Sequence, residues 1–326
     1  HRCHSGRMGG LSGRMRWADV APSVQEAVAQ ILGSPVIDAR SQAGGFSPGS
    51  ADRVVTADGR RAFVKTGFAR LNAESCDIHR REAEVTALLP ARLPAPRLLG
   101  FTDLGEWVAI VLEDVDGRQP RQPWQEDELH AVLDAYADLA AEPMPEALAA
   151  LLPSAQERLA DWSAAWSGDL ALRLAAEDTL PAPLAAWVSD VGALLPTLAE
   201  RVGLAAAGDR LVHFDARADN VLLRPGGAVI VDWPWAIRGA AWIDPMCLLM
   251  TVRLEDPALA VPAEAHRAFD GMDDDGADSL VAALAGGMLS GSLQPAPPGI
   301  PTLRSFQRRQ GIACLEWLQE RRARRS

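Results

Sequence analysis

The residues in this sequence with the clearest chemistry are two carboxylates and an amide set at fixed intervals. The run His213-Phe214-Asp215-Ala216-Arg217-Ala218-Asp219-Asn220 precedes the apolar Val221-Leu222-Leu223. A turn at Pro225-Gly226-Gly227 then leads into Ala228-Val229-Ile230-Val231-Asp232. Two apolar runs about a Pro-Gly turn predict a β-hairpin. Asn220 and Asp232 are symmetric about Gly226, so the hairpin is expected to bring them together at its open end. A carboxylate beside an amide oxygen is a hard-donor pair suited to Mg²⁺, which binds through few protein ligands and substrate phosphates. Asp215 lies just upstream, near such an ion without having to bind it. It is then available to accept a proton from a hydroxyl. Taken singly, Asp215 is as readily a helix cap or turn residue; its spacing to Asn220 and Asp232 favours chemistry.

The elements that must hold these side chains change character along the chain. Val24 to Leu32 has the spacing of a short amphipathic helix. Val36 to Ala43 reads as a strand running into Gly44-Gly45-Phe46-Ser47-Pro48. Asp52 to Ala57 and Arg60 to Thr66 read as strands joined by a two-residue Asp58-Gly59 turn. Glu74 to Leu89 is a predicted helix ended by Pro90, followed by a strand pair at Arg97 to Thr102 and Trp107 to Glu113. Beyond Gly117 the chain becomes rich in Ala, Leu and Trp. Helices are expected over Glu126 to Leu152, Ser154 to Ala176 and Leu184 to Val202. A β island follows at Leu211 to Asp232, and a last helix at Phe306 to Arg325. The expectation is an α+β chain with a small β-rich N-terminal lobe, a hinge near Asp114 to Gly117, and a larger helical C-terminal lobe.

Composition narrows the class. At 326 residues, with 48% hydrophobic and 23% charged residues, the chain can bury a sizeable core. A net charge of −11 argues against nucleic-acid binding. No apolar run reaches the ~18 residues of a membrane span. The four cysteines form no CxxC, which fits a reducing cytoplasm. Residues 1–16 are basic and Gly/Ser-rich without an apolar core, and are expected to be a disordered leader. The acids Glu255, Asp256 and Asp270 to Asp278 could draw a cationic molecule, although charge runs are usually solvated faces. The basic tail from Arg321 to Arg325 suits a helix C-terminus. Lys65 is the only lysine among 32 basic residues of the Lys and Arg type. Lysine carries a compact point charge where arginine carries a wide planar fork, so a lone lysine suggests a place where the fork does not fit.

His213-x-Asp215-x-x-x-x-Asn220, with a strand then ending in Asp232, resembles the kinase catalytic loop and metal-binding Asp. The chain is similar to the aminoglycoside phosphotransferase family of small-molecule kinases. Asn220-Val221-Leu222-Leu223 resembles that family's Asn-hydrophobic signature, and Val229-Ile230-Val231-Asp232-Trp233 its I-D-W segment. Asp244 matches a later, mainly structural Asp, and Leu93-Pro94-Ala95-Pro96-Arg97 matches the family's P-x-P approach to a strand. The likeness covers nearly everything after about Val24. It implies a protein-kinase-like two-lobe fold, with residues 17–115 binding nucleotide and residues 116–326 carrying the catalytic loop and acceptor pocket.

Roles follow position by position from that resemblance. Lys65 falls where the family's strand-three lysine meets the α- and β-phosphates. Glu82 falls where its ion-pair partner stands, with Glu84 the competitor on another helix face. Gly45, Phe46 and Ser47 match the phosphate-covering loop, and Glu113 and Val115 the hinge that pairs with adenine. Asp215 is the implied base, and Asn220 and Asp232 the implied Mg²⁺ ligands. The family usually has Gly where Phe214 stands, and its His-Pro-Gly before the Asn reads Arg217-Ala218-Asp219 here. Arg217 is placed to steady the γ-phosphate. Gly239-Ala240-Ala241 lacks one customary acid of the family's G-D-P turn.

The function so implied is Mg²⁺-dependent transfer of the γ-phosphoryl of ATP or GTP to a hydroxyl of a small molecule. An aminoglycoside or related antibiotic is the leading acceptor, with resistance by modification as the consequence. A kinase of a metabolite such as choline, homoserine or a sugar-like compound is the alternative. So is a non-catalytic nucleotide-binding protein of kinase fold. A metal-dependent hydrolase built on His213, Asp215 and Asp232 would need a second ligand cluster, which the sequence lacks. No nucleic acid or membrane partner is expected, and the chain is expected as a monomer or weak homodimer.

Overall fold

The computed structural model describes residues 15–42, 48–176 and 179–325. The expected leader up to residue 14, and Gly45, Phe46 and Ser47, lie outside the described residues. The chain divides into two compact units. The first holds the described residues up to Ala87 with Pro96–Val115 and Pro297–Pro301. The second holds Leu88–Ala95, Asp116–Ala296 and the chain from Thr302 onward.

In the first unit, helix α1 (Pro22–Leu32) is followed by β1 (Val36–Ser41), β2 (Ala51–Thr56) and β3 (Arg61–Phe68). Helix α2 (Ala73–Leu88), which reaches one residue beyond the unit's boundary, precedes β4 (Leu98–Asp103) and β5 (Trp107–Glu113). The strands form one antiparallel sheet in the order β1-β2-β3-β5-β4. Period-two alternation in β3 sorts its side chains to opposite faces. Ala62 and Val64 pack with Val24, Val28 and Leu32 of α1. Phe63 packs in a separate cluster with Ile110, Leu112 and Ala83 of α2. Lys65 shares the parity of Phe63 and so faces α2. Thr56 N–H donates to Arg60 O at 2.9 Å, so three residues, Ala57 to Gly59, close the turn between β2 and β3 rather than two, with Gly59 at φ +83°.

The second unit is mainly helical: α3 (Glu126–Ala141), α4 (Glu146–Leu151), α5 (Ala155–Ala164), α6 (Leu170–Ala176), α7 (Ala182–Asp190), α8 (Leu194–Glu200) and α9 (Val202–Ala205). Strands β6 (Arg210–Val212), β7 (Val221–Arg224), β8 (Gly227–Ile230) and β9 (Ile237–Gly239) come next. Helices α10 (Ile243–Arg253), α11 (Pro257–Ala263), α12 (Asp274–Ser292) and α13 (Leu303–Arg325) complete it. Three long expected helices are thus broken. Pro143 and Pro145 separate α3 from α4, and Gly168 and Gly192 fall in the breaks after α5 and α7. Among the described residues no single helix is long and apolar enough to cross a membrane.

Candidate active site

The loop after β6 is anchored before it does any chemistry. Both oxygens of Asp244, in the first turn of α10, accept backbone N–H bonds, from His213 and from Phe214, each at 2.7 Å. The His213 ring sits near the carbonyls of Val231 (3.0 Å) and Asp232 (2.7 Å) through Nε2. Both partners are acceptors, so Nε2 carries the proton and donates. Trp233 packs edge-on against the same ring, with centroids 4.8 Å apart. His213 is therefore a brace between the loop and the segment after β8. Trp233, fully buried, is packing rather than pocket wall.

Two non-glycine residues here have positive φ, Phe214 at +66° and Asp232 at +71°. That region costs an L-residue roughly 1–2 kcal/mol, and such outliers persist where surrounding contacts over-determine them. At Phe214 the conformation accounts for the glycine usual in the resembling family. The Phe214 ring is retained against Trp162, with centroids 5.8 Å apart.

Asn220 donates through Nδ2 to the Asp215 backbone oxygen at 2.9 Å and to its carboxylate at 2.7 Å. Burial pushes the Asp215 carboxyl above the usual carboxylate range, while the nearby Arg217 charge works in the opposite direction. A raised pKa makes it a stronger proton acceptor near neutral pH. Arg217 Nε lies 3.8 Å from Asp215 and 2.9 Å from Asp219, so Arg217 is held between two acids.

The hairpin brings Asn220 and Asp232 to the same end, with a register one residue away from the expected one. Arg224 pairs with Gly227 and Val221 with Ile230, leaving a two-residue Pro225-Gly226 turn. Val231 N–H donates to Asn220 O at 2.9 Å, and Asp232 follows. With its Nδ2 on Asp215, Asn220 has its amide oxygen left as the donor atom for an ion. Among the described residues no group of three or more His, Cys, Asp or Glu could hold a metal. A divalent ion here would rest on two hard protein oxygens, from Asn220 and Asp232, plus oxygens of substrate and water. That donor set fits Mg²⁺ and not zinc.

In the first unit, Lys65 Nζ lies 2.7 and 3.0 Å from the two oxygens of Glu82. The Glu82 side chain is 1% exposed and that of Lys65 12%. Glu84 is exposed and lies 3.7 Å from Arg81, so the geometry picks Glu82 as the partner. Glu113 ends β5, with its carboxylate 3.0 Å from Arg97 Nε. The Val115 carbonyl accepts from Arg53 at 3.1 Å. Asp114 between them is buried against Arg53 and Arg61.

Beside Asp215 the second unit has a cavity of about 60 Å³ lined by Trp162, Phe214, Met250, Met288 and Phe306 among others. Helical spacing with Trp166 by itself marks Trp162 as core. Its signal was Gly286-Gly287 inside α12: a Cβ at Gly287 would collide with the Trp162 ring, and one at Gly286 with Trp166. Arg158 was missed altogether. Its guanidinium lies over Trp162, Phe214 and Trp235, 5.0–5.9 Å from the ring centroids.

The acidic stretch and the basic tail, separate in the sequence, meet in one network. Arg321 bonds to Asp278 and Asp274 at 2.8 Å each, and Arg325 pairs with Asp278 and Asp275. The acids sit at the N-terminus of α12 and the arginines at the C-terminus of α13, where each sign suits the helix dipole.

The family model described as the phosphotransferase enzyme family matches residues 44–278, well over half of the chain. This chain belongs to that family. It is a small-molecule phosphotransferase. No curated protein sequence gives a significant match. Solved structures agree with the fold. A thermostable mutant of aminoglycoside phosphotransferase APH(4)-Ia, in complex with ADP and hygromycin B, is similar at 16% identity and TM-score 0.59, over 90% of this chain and 98% of that one. The GDP complex of an aminoglycoside 2′-phosphotransferase-IIIa mutant is similar at 15% identity and TM-score 0.55, over 93% and 96%. Choline kinase from Cryptosporidium parvum Iowa II is similar at 9% identity and TM-score 0.52, over 96% and 93%. The fold is the protein-kinase-like α+β one, with a β-rich part and a larger helical part.

Proposed function

We propose that this phosphotransferase transfers the γ-phosphoryl group of ATP or GTP to a hydroxyl of a small molecule. The observation that carries the reading is the Asp215 carboxylate, hydrogen-bonded by Asn220 at 2.7 Å on a loop pinned through Asp244. Asp215 orients the acceptor hydroxyl and takes its proton. Lys65, held by Glu82, pairs with the α- and β-phosphates, and Arg217 steadies the γ-phosphate. Gly45, Phe46 and Ser47 cover the phosphates, and Glu113 and Val115 meet the adenine edge. Asn220 and Asp232 would hold Mg²⁺, which when bound supplies charge neutralisation on the phosphates. Phosphoryl transfer has a loose transition state, so these roles are chiefly positioning and electrostatics.

The ADP and GDP bound in the similar aminoglycoside phosphotransferases support a nucleotide donor. The hygromycin B bound in one of them supports an antibiotic hydroxyl as target, and the likeness to choline kinase keeps a metabolite hydroxyl as second reading. The test is a panel of aminoglycosides, other antibiotics and amino alcohols with ATP or GTP, read by nucleotide turnover and product mass. A phosphorylated product with Mg²⁺ supports the reading. Nucleotide binding without transfer to any hydroxyl would contradict it.

A further inference from the structure

The cavity beside Asp215 has a chemistry of its own. Trp162, Phe214, Met250, Leu284, Met288 and Phe306 make most of its wall. Among the described residues that line it, Asp215 is the single carboxylate, and that group is the proposed base. The other lining charge is the Arg217 guanidinium, which also lies 5.2 Å from the Phe306 ring centroid. Arg158 stacks on two of the lining rings, Trp162 and Phe214, and on Trp235. Its Nε is buried with no hydrogen-bond partner, and among the described residues no carboxylate forms an ion pair with it.

Two consequences follow. The Trp162, Phe214 and Phe306 rings each already have a guanidinium near one face, so the aromatic wall carries cations of the protein's own. Of the acids that might have offset an amine-rich ligand, Asp274, Asp275 and Asp278 are paired with Arg321 and Arg325. A half-buried guanidinium with no acid in ion-pair contact is placed to donate to an oxygen acceptor from outside the protein. The room, about 60 Å³, takes roughly four to six water-sized groups, so it receives one edge of a ligand. Methionine side chains let such a wall adapt to an apolar outline.

We infer that the acceptor is a neutral or anionic hydroxyl compound with an apolar skeleton, lying on Phe214 and Trp162 and giving a carbonyl or carboxylate oxygen to Arg158. This rests on the phosphotransfer reading above and narrows its acceptor away from polycations. Arg158 is then a specificity-determining residue that contacts the acceptor and takes no part in proton transfer.

The test uses the full chain and three probes: 3-hydroxydecanoate, 1,2-decanediol and kanamycin. Calorimetric binding and nucleotide turnover are measured for wild type, Arg158→Gln and Arg158→Lys. The expected order of affinity in wild type is 3-hydroxydecanoate, then 1,2-decanediol, then kanamycin. Arg158→Gln should weaken 3-hydroxydecanoate at least tenfold and 1,2-decanediol less than twofold, with Arg158→Lys restoring part of the loss. Tightest binding of kanamycin, no binding of either decane probe, or an Arg158→Gln affinity equal to wild type would overturn the inference. If Arg158→Gln does not fold, the wild-type order and Arg158→Lys still decide. Arg158-dependent binding with no turnover of any probe would sustain this inference and count against phosphotransfer. Turnover of kanamycin alone would do the reverse.

Discussion

Lys65 and Glu82 form a two-point ion pair, with the ammonium 2.7 Å from one carboxylate oxygen and 3.0 Å from the other. Glu82 is almost fully enclosed, so the pair fixes the lysine in one place. Arginine would bring the same charge with a planar fork too wide for that space. Lys65→Arg should therefore lose about a hundredfold in kcat/KM for nucleotide despite keeping the charge. Steady-state kinetics checks it; activity within twofold of wild type would make the lone lysine an accident of composition.

Asp215 must be ionised to accept a proton, and burial raises its pKa. Activity should fall as pH drops through that raised value, so the acid limb of kcat against pH lies above the ordinary ~4 of a carboxylate. Arg217 lowers the Asp215 pKa. Arg217→Gln should move the limb to higher pH, a shift separate from any loss of rate. A limb that stays in place, or moves down, would contradict the assignment.

Asp244 is 2% exposed and accepts two backbone N–H bonds from the loop. Asp244→Ala leaves both donors buried without partners, at about 1–3 kcal/mol each. We expect about 2–5 kcal/mol less stability in urea unfolding and at least a tenfold fall in kcat. Unchanged stability would mean that the loop is held elsewhere.

Asp278 is fully buried and Arg321 nearly so. Removing one partner of a buried pair costs about 3–5 kcal/mol, because a charge is left behind. Asp278→Ala should cost that much stability while kcat of the protein that remains folded stays near wild type. A loss below about 1 kcal/mol would show that Asp274 and Glu264 suffice for Arg321.

The polar hairpin was legible because Asn220, Asp232 and the Pro-Gly turn lie within one short stretch. Its register was not, because the position of the turn depends on backbone angles: Gly226 at φ +94° closes a two-residue turn one step earlier. Strand β9 escaped notice because three residues carry no period, yet it pairs with β6. Lys65 and Glu82 are 17 residues apart, and only the family resemblance related them in the sequence; the structure supplies the contact. Arg158 and Trp162 lie one turn apart on α5, but Phe214 and Trp235 come from distant segments. Only packing brings them together, so the chemistry of the cavity beside Asp215 was not readable. The acidic run and the arginine tail were each visible, but their mutual neutralisation depends on α12 lying against α13.

The most direct measurement compares wild type with Asp215→Asn on a hydroxyl acceptor identified from the panel, following phosphorylated product by mass alongside nucleotide binding. Asp215→Asn is expected to bind nucleotide as wild type does and to lose at least a hundredfold in kcat, in line with the ~10²–10⁴ of general-base removal. Near-full turnover by Asp215→Asn on the same acceptor would contradict it.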